Sequence, residues 1–495
     1  MQGAATVRPV MTEPTEPTDK PSDPAEPGAG PKEPAEPLGL QSEPAEPARD
    51  QGEPADDQGE PAAPTDEPRP AAPPAGPGEP AEPHPEEFDG DFQRVTASRR
   101  WPVVVVGVLA VLALLASMLL ARNASSGTGE GDGGDGRATP TTDPPEPATE
   151  TEIEEAVAEI SEFVAAEAGM EFLAPVTVEL EGEGAFQDRL LADFDEDADE
   201  LRKTEVFLEA LGLVEPDVEL VESMRSLLGG GVVGFYDTET DELVVRGAAL
   251  TPYVRTTIAH ELTHALDDQH HDLHRPQYDD ADDEVSLGFS SVVEGNARRI
   301  ENAYRASLDE DERRQATEEE MSLGGGVDLD ETPLILVDLI GAPYTLGEPF
   351  VDAVLADGGD EALAAAFAEP PRTSEQVLDP ARFLAGEAAI DVPVPAVAGE
   401  VVDEGIVGEL MVLLVLADEV GIEVARMAAT GWGGDWGVAW RDGDRSCVTA
   451  NLVGDDVSET EEMRQAFERW AESHEGARVV PTGAGGPFTL ESCSG

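Results

Sequence analysis

His260-Glu261-Leu262-Thr263-His264 places two imidazoles and a carboxylate within one turn and a half of a single segment. If that segment is helical, positions 260 and 264 lie on the same face with Cβ atoms about 5–6 Å apart. Two nitrogens at that spacing can reach one zinc ion at about 2.0–2.1 Å. Glu261 then lies about 100° round the helix from His260, close enough to act on a water at the metal without being a ligand. The spacing therefore points to a metal held by His260 and His264 with Glu261 as general base. Thr257-Ile258-Ala259 before the motif and Ala265-Leu266 after it carry neither charge nor proline, so nothing interrupts a helix around the ligands.

Catalytic zinc takes a third protein ligand and keeps one position for water. Two residues compete for that role. His270 stands ten positions after His260, a spacing that resembles the metzincin pattern, but that pattern turns the chain sharply at its seventh position, normally with glycine, where this sequence has Asp267. A left-handed turn costs more at Asp than at Gly. Glu294 lies in Ser290-Ser291-Val292-Val293-Glu294-Gly295-Asn296-Ala297, about thirty positions after His264. A carboxylate among apolar residues on a helix is costly unless something pairs it, and a zinc ion would do so. The plainer account is an ion pair with Arg298 four residues on. Asp267 and Asp268 are candidates to orient an imidazole, and His271, His274, Tyr304 and Tyr344 are candidates to polarise a substrate carbonyl. Asp279–Glu284 offers oxygen ligands for calcium but lacks the spacing of a calcium loop, so a solvated turn and helix cap is the better reading.

Ala259-His260-Glu261-Leu262-Thr263-His264-Ala265-Leu266 followed by Val293-Glu294-Gly295-Asn296-Ala297 resembles the zincin metallopeptidases, and among them the gluzincins, including uncharacterised bacterial membrane-anchored members. Pro370-Pro371-Arg372-Thr373-Ser374-Glu375-Gln376 is similar to a Pro-Pro-x-Ser-Thr-Glu-Gln segment of such proteins, with Thr and Ser exchanged. The resemblance implies a zincin-like α+β catalytic domain, Zn2+ on His260, His264 and Glu294, and hydrolysis of a peptide or protein substrate. In that scheme Glu261 takes a proton from the attacking water and passes it to the leaving amine. It also implies that substrate lies extended against an edge strand just upstream of the motif.

The elements that must position these residues are legible as patterns. Residues 229–236 and 243–245 flank a polar turn and read as a hairpin opened by Gly229-Gly230-Gly231. Pro252 marks the start of a helix over 253–269. Further helices are expected over 152–164, 198–211, 287–308, 351–367, 408–427 and 459–473. Strands are expected over 175–180, 436–440, 447–452, 478–480 and 488–493. The expected organisation is a catalytic domain over 151–430 and a small α/β appendage over 431–495, clipped by a bridge between Cys447 and Cys493, the only two cysteines.

Ahead of these lies chain of another kind. Most of the 41 prolines fall in the first hundred residues, where Glu-Pro-Ala-Glu-Pro recurs, and residues 1–95 read as a disordered tail with too few apolar groups to offset ordering. Residues 103–121 form an uncharged apolar run of about 28 Å as a helix, the length of a bilayer core, and a transmembrane helix is expected over 102–121. Arg94, Arg99 and Arg100 precede it and Arg122 follows, which leaves the tail in the cytoplasm and the bulk outside. Residues 122–150 read as a flexible stalk. A formal charge of −76 excludes nucleic acid as a partner, since phosphate binding needs clustered cations. Two further readings compete with a membrane-anchored peptidase: a surface protein with a structural metal, and an interaction scaffold built on the Pro-rich tail.

Overall fold

The computed structural model describes residues 146–495 apart from 193, 195–197, 217, 280–282, 325–331, 484 and 495, together with Val106 and Gly107. The tail, nearly all of the apolar run 102–121, most of the stalk and the centre of the acidic run 279–284 lie outside the described residues. At Val106–Gly107 the structure departs from the helix expected there: the two residues form a strand, β1. A valine-rich run suits a strand as well as a helix, and periodicity does not separate the two.

The described chain is α+β, with two sheets. The first contains β1, β2 (Val178–Glu181), β3 (Gly234–Asp237) and β4 (Glu242–Arg246) in the order β1-β3-β4-β2. β3 and β4 form the expected hairpin, closed where Asp237 accepts hydrogen bonds from the N–H groups of Glu239 and Thr240. β2 runs parallel to β4, and β1 runs antiparallel to β3. Helix α1 (Glu150–Ala168) begins at a Thr149/Glu152 capping box and buries Ile160 and Val164. Helices α2 (Ala198–Ala210) and α3 (Leu220–Gly231) follow. Gly229–Gly231 close α3 rather than open a strand, because Val232 is the first residue to turn extended.

Helix α4 (Pro252–His271) carries the histidine motif. Thr251 caps it by accepting from the Val254 N–H, and Pro252 sits in the first turn, where no backbone donor is missed. Its Ile258, Leu262, Ala265 and Leu266 pack with Ile160, Val164, Leu243 and Val245 in one core. Helices α5 (Asp283–Ser307), α6 (Glu310–Gly324) and α7 (Leu334–Ala368) come next. The last starts well before the expected residue 351 and breaks at Gly359, where φ is 64°. By length and composition α7 would also cross a membrane, yet half of its most apolar window is buried in the protein. Its partner is α5. A Cβ on Gly295 would lie 2.3 Å from the Gly347 carbonyl, and one on Gly347 would lie 2.2 Å from the Ser291 oxygen. Only glycine permits that crossing, and it occurs one residue from Glu294.

The second sheet is antiparallel: β5 (Glu400–Gly405), β6 (Trp432–Asp442), β7 (Arg445–Gly454), β9 (Phe488–Cys493) and β8 (Arg478–Pro481), in that spatial order. Cys447 and Cys493 face each other across β7 and β9 and are joined by a disulfide. Helices α8 (Gly408–Val420), α9 (Ile422–Thr430) and α10 (Val457–Ser473) complete this region. The apolar stretch expected as one helix over 408–427 is two, because Gly421 takes φ 84° between them. The expected boundary at 431 also gives way: the sheet starts at Glu400, and Phe207 and Leu208 of α2 share one core with Trp432, Leu452, Phe467 and Trp470. Residues 431–495 therefore complete a sheet begun earlier and packed on the N-terminal helices. Strand β5 escaped the sequence reading because Glu400-Val401-Val402-Asp403-Glu404 is too acidic to look like a strand.

Candidate metal centre

Two helices supply the site. His260 and His264 project from α4 on one face, and Glu294 projects from α5. His260 Nε2 and His264 Nε2 are 3.0 Å apart. Glu294 Oε2 lies 3.2 Å from the first and 3.4 Å from the second. Ligands at about 2.0–2.1 Å from a tetrahedral zinc stand about 3.3 Å from one another. The three atoms thus occupy a triangle of the size that one zinc ion requires. All three residues are buried, the two histidines completely. Three lone-pair atoms packed this closely in a dry site repel one another unless a proton or a cation lies among them. The donor set of two imidazoles and a carboxylate suits zinc.

Electrostatics follow the geometry. Against the upward push of burial, the imidazoles of His264 and His260 hold the Glu294 carboxyl down at about 2. Glu261 behaves oppositely: burial, offset only in part by His260, pushes its carboxyl up to about 8. It is fully buried, and neither of its oxygens has a hydrogen-bond partner among the described residues. Strand β3 comes close above it, since a Cβ on Gly234 would lie 3.1 Å from Glu261 Oε1 and 2.6 Å from Thr257. A side chain at 234 would therefore press on the carboxylate.

Several candidates from the sequence are placed elsewhere. His270 Nε2 lies 2.9 Å from the Glu171 carbonyl, away from the triad. Asp268 accepts from the Tyr236 hydroxyl and the Leu273 N–H, so it orients no imidazole. Asp267 is buried and takes both of its hydrogen bonds from the Asn296 amide. His271 stacks on Phe367, and the Tyr304 hydroxyl accepts from Arg255. Tyr344 is the aromatic residue that does approach, its ring stacked 6.2 Å from that of His260. Arg298, offered as the simple partner of Glu294, pairs with Glu301 at 2.7 Å.

Glu301 was not singled out from the sequence. It is fully buried, and its Oε2 lies 3.2 Å from His260 Nδ1. Burial raises its carboxyl, but Arg298 and His260 hold it down at about 2. The signal was present: Glu301 follows Glu294 by seven residues, two helical turns, and so lies on nearly the same face of α5.

The segment 370–376 has a structural role. The Ser374 N–H and hydroxyl both donate to Glu284 at the start of α5, while the Leu410 N–H of α8 donates to the Ser374 oxygen. It fastens the helix that carries Glu294 to the second sheet's helices.

A domain of unknown function, DUF8575, matches residues 394–492, the stretch that forms the second sheet. No curated protein sequence matches the chain. Among solved structures, one from Chloroflexus aurantiacus described as a "putative hydrolase with a novel fold" is similar at 19% identity, over 56% of this chain and 97% of that one, with a TM-score of 0.31.

Proposed function

We propose that the chain is a zinc-dependent peptidase with a zincin-like catalytic region. The observation that carries this reading is the triangle of His260, His264 and Glu294, set beside a buried carboxylate, Glu261, whose oxygens have no hydrogen-bond partner among the described residues. Zinc, when bound, would supply Lewis-acid polarisation of a carbonyl and a water acidified to near neutrality. The chain's own groups do the rest. Glu261, as carboxylate, takes the proton from the attacking water and returns it to the leaving amine. His260, His264 and Glu294 would hold the metal. A peptide is the favoured substrate class because β3, the strand above Glu261, has β4 on one side and on the other an edge that can take an extended segment antiparallel, the geometry Val106–Gly107 illustrates. A structural four-ligand site is less well supported, since His270 is turned to the Glu171 carbonyl. Elemental analysis of the full chain in detergent tests the reading. One zinc per chain is expected, and a folded, zinc-supplemented protein that carries none would sink it.

Membrane attachment through residues 102–121 is part of the proposal and rests on the composition of that run. Full-length protein is expected in the membrane fraction, and protein lacking 102–121 in the soluble fraction. Full-length protein that stays soluble without detergent would instead favour the pairing of Val106–Gly107 with β3 as the resting place of this run.

A further inference from the structure

We propose that Glu301 is a positioning residue of the metal centre, holding the His260 ring with Nδ1 protonated so that its Nε2 lone pair faces Glu294 and His264. This inference rests on the zinc reading above.

Three observations carry it. Glu301 Oε2 lies 3.2 Å from His260 Nδ1, and both residues are fully buried, so no water competes for the contact. An ionised carboxylate accepts hydrogen bonds and donates none, so the imidazole nitrogen facing it must carry the proton. Arg298 donates to the same oxygen at 2.7 Å, and Arg305 stands 4.0 Å from the other, which compensates the buried negative charge. The second ligand has no such support: His264 Nδ1 is buried without a hydrogen-bond partner among the described residues. Of the two imidazoles it is therefore the His260 ring that a carboxylate orients, and that carboxylate is Glu301. Since Glu294, Arg298 and Glu301 follow at positions i, i+4 and i+7 of α5, one face of that helix delivers a ligand, a compensating cation and the orienting carboxylate. The alternative is that Glu301 merely pairs Arg298 and supports the fold.

The test is a zinc competition titration on the full chain in detergent, with wild type and Glu301→Gln compared alongside melting of the metal-free proteins. The amide keeps the shape but loses the charge that selects the tautomer. Zinc affinity is expected to fall roughly 10–100-fold, the usual effect of such outer-shell changes, with one zinc per chain still reached at saturation. The visible absorption bands of the cobalt(II)-loaded variant are expected to shift, because the ligand field at His260 changes. Glu301→Asp keeps the charge beside Arg298 but withdraws it from the ring by one methylene, and is expected to fall between the two. It also carries the test should Glu301→Gln fail to fold. A lower melting temperature with unchanged zinc affinity and cobalt spectrum would overturn the proposal and leave a structural ion pair. Wild type that binds no zinc would overturn the reading beneath it, a result seen without any variant.

Discussion

Glu294→Ala is expected to strip the full chain of stoichiometric zinc, while His270→Ala keeps one zinc per chain. Two imidazoles one turn apart on α4 define only an edge of the coordination triangle, and Glu294 Oε2 closes it at 3.2 and 3.4 Å. Losing a ligand should cost more than the roughly 10–100-fold that outer-shell changes cost in metal affinity. His270 makes its contact with the Glu171 carbonyl instead, so its removal leaves the triangle intact. Elemental analysis after dialysis against a weak chelator measures both. The reverse pattern, zinc kept in Glu294→Ala and lost in His270→Ala, would move the third ligand and undo the assignment.

Glu261→Gln should leave zinc in place and lower turnover of a peptide substrate by roughly 10²–10⁴, the range for loss of a positioned general base. The carboxylate is buried beneath β3 beside the triad and its oxygens have no hydrogen-bond partner among the described residues, so an amide of the same shape should leave the fold in place. The same change removes the group proposed to take a proton and return it. The measurement pairs turnover with zinc content and melting temperature. Turnover within a few-fold of wild type, with zinc bound, would remove Glu261 from the chemistry.

Much of this site could be read along the chain because its parts are local. The spacing of His260 and His264 belongs to helix geometry, and Thr251 and Pro252 set where that helix starts. The β3–β4 hairpin announced itself by two apolar runs about a turn of Asp and Thr residues. The disulfide pair could be named because only two cysteines exist. Patterns failed where local and tertiary demands diverge. The acidic β5 is a strand because β6 offers it a ladder, and Gly229–Gly231 finish a helix although glycines in sequence suggest a turn.

By itself, then, the sequence determined the α+β class, the histidine helix, the general-base candidate and a short set of possible third ligands. Tertiary structure brings one of that set, Glu294, to the two histidines and leaves His270 at the Glu171 carbonyl. The Gly295–Gly347 crossing seats α5 against α7, and α5, packed also on α4, presents Glu294 to both histidines and Glu301 to the back of one of them. Glu301 lies 41 residues from His260. No propensity or spacing encodes a contact across that distance, because it arises only when two helices pack face to face.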